Sequence, residues 1–178
     1  MVAAPICRRD DWIYNSFRDQ LRAFQSDKRL DDDRVLDTGD ATIAIFGMGR
    51  VGRGAYDLLR ELEIGSVVGV DFNADVTRSH QSMGRNVIHG DPSDADFWDK
   101  IQEIHRIELV MLALPNLQAN LDALAQLKES AFSGRVAAAA KYPDEEETLR
   151  QSGATAVFDI YTEAGTGFAD HIRLEQGS

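Results

Sequence analysis

The sequence predicts an α/β fold: a doubly wound parallel sheet of six strands, preceded by an N-terminal amphipathic helical extension. From Thr42 onward, short apolar segments alternate with segments whose apolar residues recur every three or four positions. The first apolar segment runs directly into a glycine-rich turn and then into a helical pattern. Residues 109–114 are apolar throughout, which is expected of a strand covered on both faces. Strands that alternate with helices at this spacing form parallel sheets with right-handed crossovers.

The predicted sheet domain covers residues 42–172 and leaves a short tail at residues 173–178. Its strands are expected at residues 42–46, 67–71, 86–89, 109–114, 135–140 and 156–160. Its helices are expected at residues 50–63, 74–83, 93–104, around 117–125, at 144–151 and within 162–172. In the third helix, Phe97 and Trp98 are predicted to face the core, together with Ile101 and Ile104.

Residues 1–41 differ in character from the rest of the chain. Their apolar side chains repeat at helical spacing and predict an amphipathic helix from about residue 10 to about residue 30. They are Trp12, Ile13, Phe17, Leu21 and Phe24. An aspartate-rich stretch up to residue 41 then indicates a polar linker. The helix either packs on the domain or connects it to another domain or a dimer partner.

The composition limits the partners that the chain can have. A net charge of −11 argues against nucleic acid and anionic membrane surfaces, because both attract a basic face. The single cysteine, Cys7, excludes an internal disulfide framework and suits a reducing cytoplasm. No apolar run approaches the roughly 20 residues that a membrane span needs. We therefore expect a soluble, cytoplasmic chain without direct membrane insertion.

The glycines after the first predicted strand suggest a phosphate site. Gly47, Gly49 and Gly52 fit the pattern G-x-G-x-x-G between a strand and a helix. In Rossmann-type domains the first glycine permits the tight turn, the second lets the backbone approach a pyrophosphate, and the third lets helix and strand pack closely. The free N–H groups and the positive dipole end of the helix then face the phosphates.

Asp71 ends the second predicted strand, 24 residues after Gly47. That distance is close to the roughly 20 residues expected for a carboxylate that binds ribose hydroxyls. Such a carboxylate repels a 2′-phosphate and so favours NAD over NADP. The alternative is that Asp71 caps the next helix. Arg50, at the start of the first helix, either reaches a phosphate oxygen or is a solvated surface arginine.

Motifs for catalysis or metal binding do not stand out. The four histidines have no metal-ligand spacing, and we interpret His80, His105 and His171 as structural or exposed. His89 lies two residues before Asp91 at a strand end, so a ligand contact stays open for it. No Tyr-x-x-x-Lys pair and no G-x-S-x-G elbow is present.

These segments together resemble a known family. Residues 45–52 (IFGMGRVG), 68–71 (VGVD) and 87–91 (VIHGD) resemble the nucleotide-binding lobe of domains that regulate potassium conductance, also called RCK, KTN or TrkA-N domains. Residues 114–116 (LPN) resemble the family's segment after the fourth strand. Residues 163–169 (EAGTGFA) resemble the tail of the Kef group, and within the family the chain is most similar to the C-terminal cytosolic domain of Kef-type, glutathione-regulated potassium-efflux antiporters.

The resemblance implies regulation rather than catalysis. Such domains bind NAD(H) or AMP, pair as homodimers and pass the ligand state to the membrane transport domain of a cation antiporter, at the inner face of the cell membrane. The residues that it implies at the nucleotide are Gly47, Met48, Gly49, Arg50, Val51, Gly52, Asp71, Phe72, Asp91, Ala113 and Leu114. The Kef group places arginines near a glutathione site, whereas here only Lys141 is basic at the end of the fifth strand.

Two other functions stay open. A stand-alone NAD-dependent oxidoreductase would need a second domain or an acid–base pair near the nicotinamide. A scaffolding dimer without a ligand would not need three small residues at the spacing of Gly47, Gly49 and Gly52.

Overall fold

The computed structural model describes residues 40–94, 97–98 and 106–176. The predicted N-terminal helix and most of its linker lie outside the described residues. The same holds for most of the helix expected at residues 93–104, including Ile101 and Ile104.

The fold is a single six-stranded sheet in which every strand pair is parallel. The order of the strands is β3-β2-β1-β4-β5-β6. They are β1 Ile43–Phe46, β2 Val67–Asp71, β3 Val87–His89, β4 Leu109–Leu112, β5 Arg135–Ala140 and β6 Ala156–Asp159. The predicted doubly wound parallel sheet is therefore confirmed.

Five helices can be given bounds in the described part of the chain. They are α1 Arg50–Glu61, α2 Ala74–Ser82, α3 Leu117–Glu129, α4 Pro143–Gln151 and α5 Ile160–Gln176. None of the described helices is long and apolar enough to span a bilayer.

The boundary between β6 and α5 differs from the prediction. The strand was expected to reach residue 160, but it ends at Asp159 and α5 begins at once. The Asp159 carboxylate accepts the N–H groups of Tyr161 and Thr162, each at 3.0 Å, and so caps the helix. The backbone hydrogen bond from Thr162 is the main reason why the pKa of Asp159 lies below its ordinary value.

The two faces of the sheet are covered by different helices. Ala55 and Leu59 of α1 and Val76 of α2 pack against Ile43, Ile45, Val67 and Val87. The connection from β4 to β5 runs in the opposite direction along the sheet, so the same crossover hand places α3 and α4 on the other face. On that other face Phe46 stacks on Trp98, with ring centroids 4.8 Å apart. Phe97 and Trp98 are both buried, as predicted.

In the described part of the chain, the face that carries α1 is open over β4, β5 and β6. The expectation that β4 is covered on both faces holds for one face only, because Val110 and Leu112 are buried while Leu109 and Met111 are half-buried. Among the described helices, only the edges of α1 and α5 adjoin this region. An open cavity of about 590 Å³ lies there, between α1, α5 and the sheet.

The turn from β1 to α1 depends on two close backbone approaches. Gly47 has φ +88°, and a Cβ on it would lie 2.5 Å from the Ala113 carbonyl oxygen. A Cβ on Gly52 would lie 2.0 Å from the Gly47 carbonyl oxygen. Since neither backbone can move without disturbing the sheet, both positions require glycine.

The glycines of α1 allow a matched test of this packing. We expect Gly52→Ala to lower the free energy of unfolding by about 3 kcal/mol, because its methyl group collides with a main-chain oxygen. Gly54→Ala, two residues along the helix, meets nothing within 4 Å. It should raise stability by roughly 0.5–1 kcal/mol through the better helix propensity of alanine. Urea denaturation of both variants measures the difference, and equal effects would contradict the close approach.

Candidate functional site

The candidate site lies where the order of the strands reverses. β1 lies beside both β2 and β4, and the connections that leave β1 and β4 run to opposite faces of the sheet. Ligands of open α/β sheets bind in the crevice at this point, outside the carboxyl ends of the strands. The turn at Gly47 and the segment Ala113–Leu114 meet here, since the Ala113 oxygen packs against Gly47.

The N-terminus of α1 opens onto this crevice. Gly49 is the N-cap and provides no side-chain hydrogen bond, and the first turn contains no acidic residue. A Cβ on Gly49 would meet nothing within 4 Å. The first N–H groups of a helix have no partner inside it, and the helix dipole adds positive potential there. This arrangement can donate several hydrogen bonds to an anion such as a phosphate.

Asp71 connects the end of β2 to the glycine turn. Its Oδ2 accepts the Met48 N–H and its Oδ1 accepts the Asn73 N–H, both at 2.8 Å. The residue is only 7% exposed. Each carboxylate oxygen keeps a second lone pair, so the group can still accept hydrogen bonds from a ligand at its exposed edge.

The helix after β2 is capped by the neighbouring residue Asn73 and not by Asp71, for which this was the alternative role. Asn73 is the N-cap of α2, and its Oδ1 accepts the N–H groups of Asp75 and Val76. Asp71 holds the N–H of the capping residue instead. The carboxylate therefore supports both the glycine turn and the start of α2.

Met48 faces the core rather than the crevice. Its side chain is 2% exposed, and a Cβ on Gly69 of β2 would lie 2.6 Å from its sulfur. Only the main chain of Met48 is therefore near the predicted phosphate position. A larger residue would not fit at position 69, because the Met48 side chain occupies the space above it.

The other predicted residues lie around the same edge of the sheet. Arg50 is exposed and, within the described residues, forms no ion pair. Phe72 is also exposed, directly after β2. Asp91 accepts hydrogen bonds from the N–H and the hydroxyl of Ser93, at 2.8 and 2.7 Å. Leu114 is buried.

His80 is the residue whose position the sequence did not reveal. It lies on α2, is 7% exposed, and its Nε2 lies 2.9 Å from the Met48 carbonyl oxygen. Thr77 and His80 lie three residues apart on one face of α2 and are both buried, but polar residues at helical spacing do not signal a buried face. Histidine in a polar segment carries no such signal by itself.

A surface ion pair joins α1 to the residues that follow α2. The Arg85 guanidinium donates to both carboxylate oxygens of Asp57, at 2.7 and 2.8 Å. That hydrogen bonding, and then the positive charges of Arg85 and Arg53, hold the pKa of Asp57 below its ordinary value.

Among the residues with described placement, no three His, Cys, Asp or Glu side chains are grouped to hold a metal ion.

Comparison with protein families matches residues 43–160, about two thirds of the chain, to the TrkA-N domain. The chain belongs to the TrkA-N domain family. The family resemblance of the glycine turn and of the strand ends is thereby confirmed. No curated protein sequence shows significant similarity to the chain.

Solved structures share the fold at low sequence identity. The NAD(P)-binding domain of an exopolyphosphatase-related protein from Archaeoglobus fulgidus has 19% identity and a TM-score of 0.67, over 75% of this chain and 98% of that one. The Kef CTD of Shewanella denitrificans, in an AMP-bound form, has 15% identity and a TM-score of 0.60, over 76% and 81%. The GsuK channel bound to NAD has 22% identity and a TM-score of 0.61; the match covers 82% of this chain and 26% of the channel.

The role of Asp71 in the fold predicts a stability effect. Asp71→Ala leaves the Met48 N–H without its acceptor, which should lower the free energy of unfolding by about 1–3 kcal/mol. Asp91→Ala is the matched control, because among the described residues its carboxylate accepts from Ser93 alone, in an exposed turn, and it should change stability by less than about 0.5 kcal/mol. Chemical denaturation of both proteins compares them. Similar losses in the two variants would show that Asp71 does not support the turn.

Proposed function

We propose that this TrkA-N domain binds an adenine nucleotide, NAD(H) or AMP, and acts as the regulatory domain of a cation transporter. The observation that carries the proposal is the uncapped N-terminus of α1 beside the Asp71 carboxylate, at the switch point of the sheet. The first supplies donors for phosphate, and the second supplies acceptors for ribose hydroxyls.

The phosphates of the nucleotide bind at the turn between β1 and α1. The space over Gly49 lets a phosphate approach the backbone, where the N–H groups of Gly49, Arg50 and Val51 can donate to it. The Arg50 guanidinium adds a charge-assisted hydrogen bond. Similar folds are known with NAD in the GsuK channel and with AMP in the Kef CTD, which supports this class of ligand.

The ribose and the adenine lie toward the ends of β2 and β3. Asp71 accepts hydrogen bonds from the ribose hydroxyls and, by its negative charge, disfavours a 2′-phosphate. Phe72, Asp91, Ala113 and Leu114 surround the adenosine or the rest of the nucleotide. The exposed ring of Phe72 offers a flat apolar surface to a base.

The domain works as a homodimer. The open cavity on the α1 face is lined by apolar side chains of the sheet and of α1 and α5, with Arg50 and Glu163 as its charged members. Phe158 at this face is 48% exposed, and Phe168 on α5 is 69% exposed. A second copy placed about a twofold axis covers both apolar surfaces at once, because such an interface uses the same patch twice.

The nucleotide and the dimer interface share residues. Arg50, Val51, Gly52 and Ala113 line the cavity and also belong to the proposed nucleotide site. A ligand that reorients Arg50 therefore changes the surface that the partner copy contacts. Differential affinity for two dimer arrangements is the way in which a ligand shifts the equilibrium of an attached transporter, here potassium efflux or cation/proton antiport at the inner membrane face.

Nucleotide binding is tested directly with the purified protein. Titration calorimetry should show that NAD or AMP binds to the wild type, and NADP, with its 2′-phosphate, should bind at least about tenfold more weakly than NAD. Gly49→Val places a side chain where the phosphate would lie and should abolish binding. It should not unfold the domain, because that space is open. Gly54→Ala on the same helix is the control that keeps the wild-type affinity.

Failure of the wild type to bind any adenine nucleotide would refute the proposal, and unchanged affinity in Gly49→Val would refute the site. Sustained hydride transfer from NADH to a substrate would favour a stand-alone NAD-dependent oxidoreductase instead.

The dimer is tested by sedimentation. Leu58 on α1 lines the cavity and is 54% exposed, so Leu58→Asp and Phe168→Asp should each weaken association by at least about tenfold. Met83 is also apolar and 62% exposed but lies after α2, away from the cavity lining. Met83→Asp should therefore leave the dimer intact. A wild type that remains a monomer at high concentration would contradict the proposal.

A further inference from the structure

His80 reaches the inner side of the glycine turn from α2. Its imidazole is buried, and Nε2 lies 2.9 Å from the Met48 carbonyl oxygen. A carbonyl oxygen only accepts, so Nε2 carries the hydrogen and donates it. The other ring nitrogen, Nδ1, is buried and has no hydrogen-bond partner among the described residues. An unpaired buried polar atom costs free energy, so this side chain is not explained by stability alone.

The hydrogen bond from His80 fixes the plane of one peptide group. In a planar trans peptide the C=O of one residue and the N–H of the next point in opposite directions. None of the described peptide bonds is cis. Because the Met48 C=O points inward to His80, the Gly49 N–H must point outward, into the crevice over the N-terminus of α1.

Asp71 fixes the preceding peptide group in the same way. The Met48 N–H points inward to Oδ2 of Asp71 at 2.8 Å, and the Gly47 C=O consequently points toward Gly52. Both main-chain groups of Met48 are thus held by buried side chains from other elements. Rotation of either peptide would break a buried hydrogen bond.

We infer that His80 is a positioning residue of the nucleotide site, which aims the Gly49 N–H at a phosphate oxygen of the ligand. The inference rests on the proposed function, since it assigns the task of His80 toward the phosphate of the bound nucleotide. His80 touches only the protein, and its effect is carried by the orientation of the Met48–Gly49 peptide.

Variants of His80 separate a positioning role from a packing role. His80→Gln keeps an N–H donor at the same number of bonds from Cα and should bind NAD and AMP within about twofold of the wild type. His80→Leu fills similar space without a donor, so its folded form should bind both nucleotides roughly 5- to 20-fold more weakly. His80→Asn, whose amide is too short to reach Met48, should show the same loss if the leucine variant does not fold. Calorimetry is performed on the full chain well below its melting temperature.

A neighbouring residue provides the matched control. Gln81 Nε2 donates to the Val87 carbonyl at 2.6 Å, a bond of the same type that does not involve the glycine turn. Gln81→Leu should lower stability without changing nucleotide affinity. In ¹H–¹⁵N spectra, the Gly49 amide should shift on NAD addition in the wild type and in His80→Gln, and clearly less in His80→Leu.

The outcomes distinguish the two proposals. If the wild type binds nucleotide and folded His80→Leu binds it within about twofold, the positioning role is wrong while the nucleotide site stands. An equal loss of affinity in Gln81→Leu also overturns it, because the effect would then be general loosening of α2. If the wild type binds no nucleotide, the proposed function falls and this inference with it.

Discussion

The hydrogen bond from the Met48 N–H to the buried carboxylate of Asp71 is the constraint on which the site depends. This hydrogen bond joins the end of β2 to the turn after β1. The same carboxylate also accepts the Asn73 N–H and so orients the start of α2. The close contacts of Gly47 and Gly52 then leave one path for the chain into α1. The free N–H groups of that helix consequently face the crevice at the switch point, where we propose that the phosphates bind.

Among the residues that the structure describes, the sheet is closed on one face and partly open on the other. Phe46, Phe97 and Trp98 fill the closed face with stacked and edge-on rings. The open face contains an apolar cavity, and some residues of the proposed phosphate site line it. A nucleotide and a partner subunit would therefore compete for, or share, the position of the Arg50 side chain. The proposed regulation requires such proximity, because the ligand must affect the two dimer arrangements differently.

Much of the fold followed from local patterns. Each strand was predicted to within about two residues, because apolar runs bounded by glycine, proline and aspartate mark buried strands well. The end of β6 was misplaced because the cap formed by Asp159 depends on side-chain geometry that a hydrophobic pattern does not contain. The expectation that β4 is covered on both faces holds for one face only, because an apolar run does not show which elements lie over a strand. Half-buried Leu109 and Met111 show the difference.

The sequence alone determined the glycine turn, the acid at the end of β2 and the family, because all three depend on residue types at fixed spacing along one chain. Only the tertiary structure showed that Met48 turns its side chain into the core, that Asp71 holds the turn and that His80 bonds to it from another helix. These contacts join residues 23 and 32 positions apart. Such pairings depend on how β2 and α2 pack beside β1, and no local pattern records that packing.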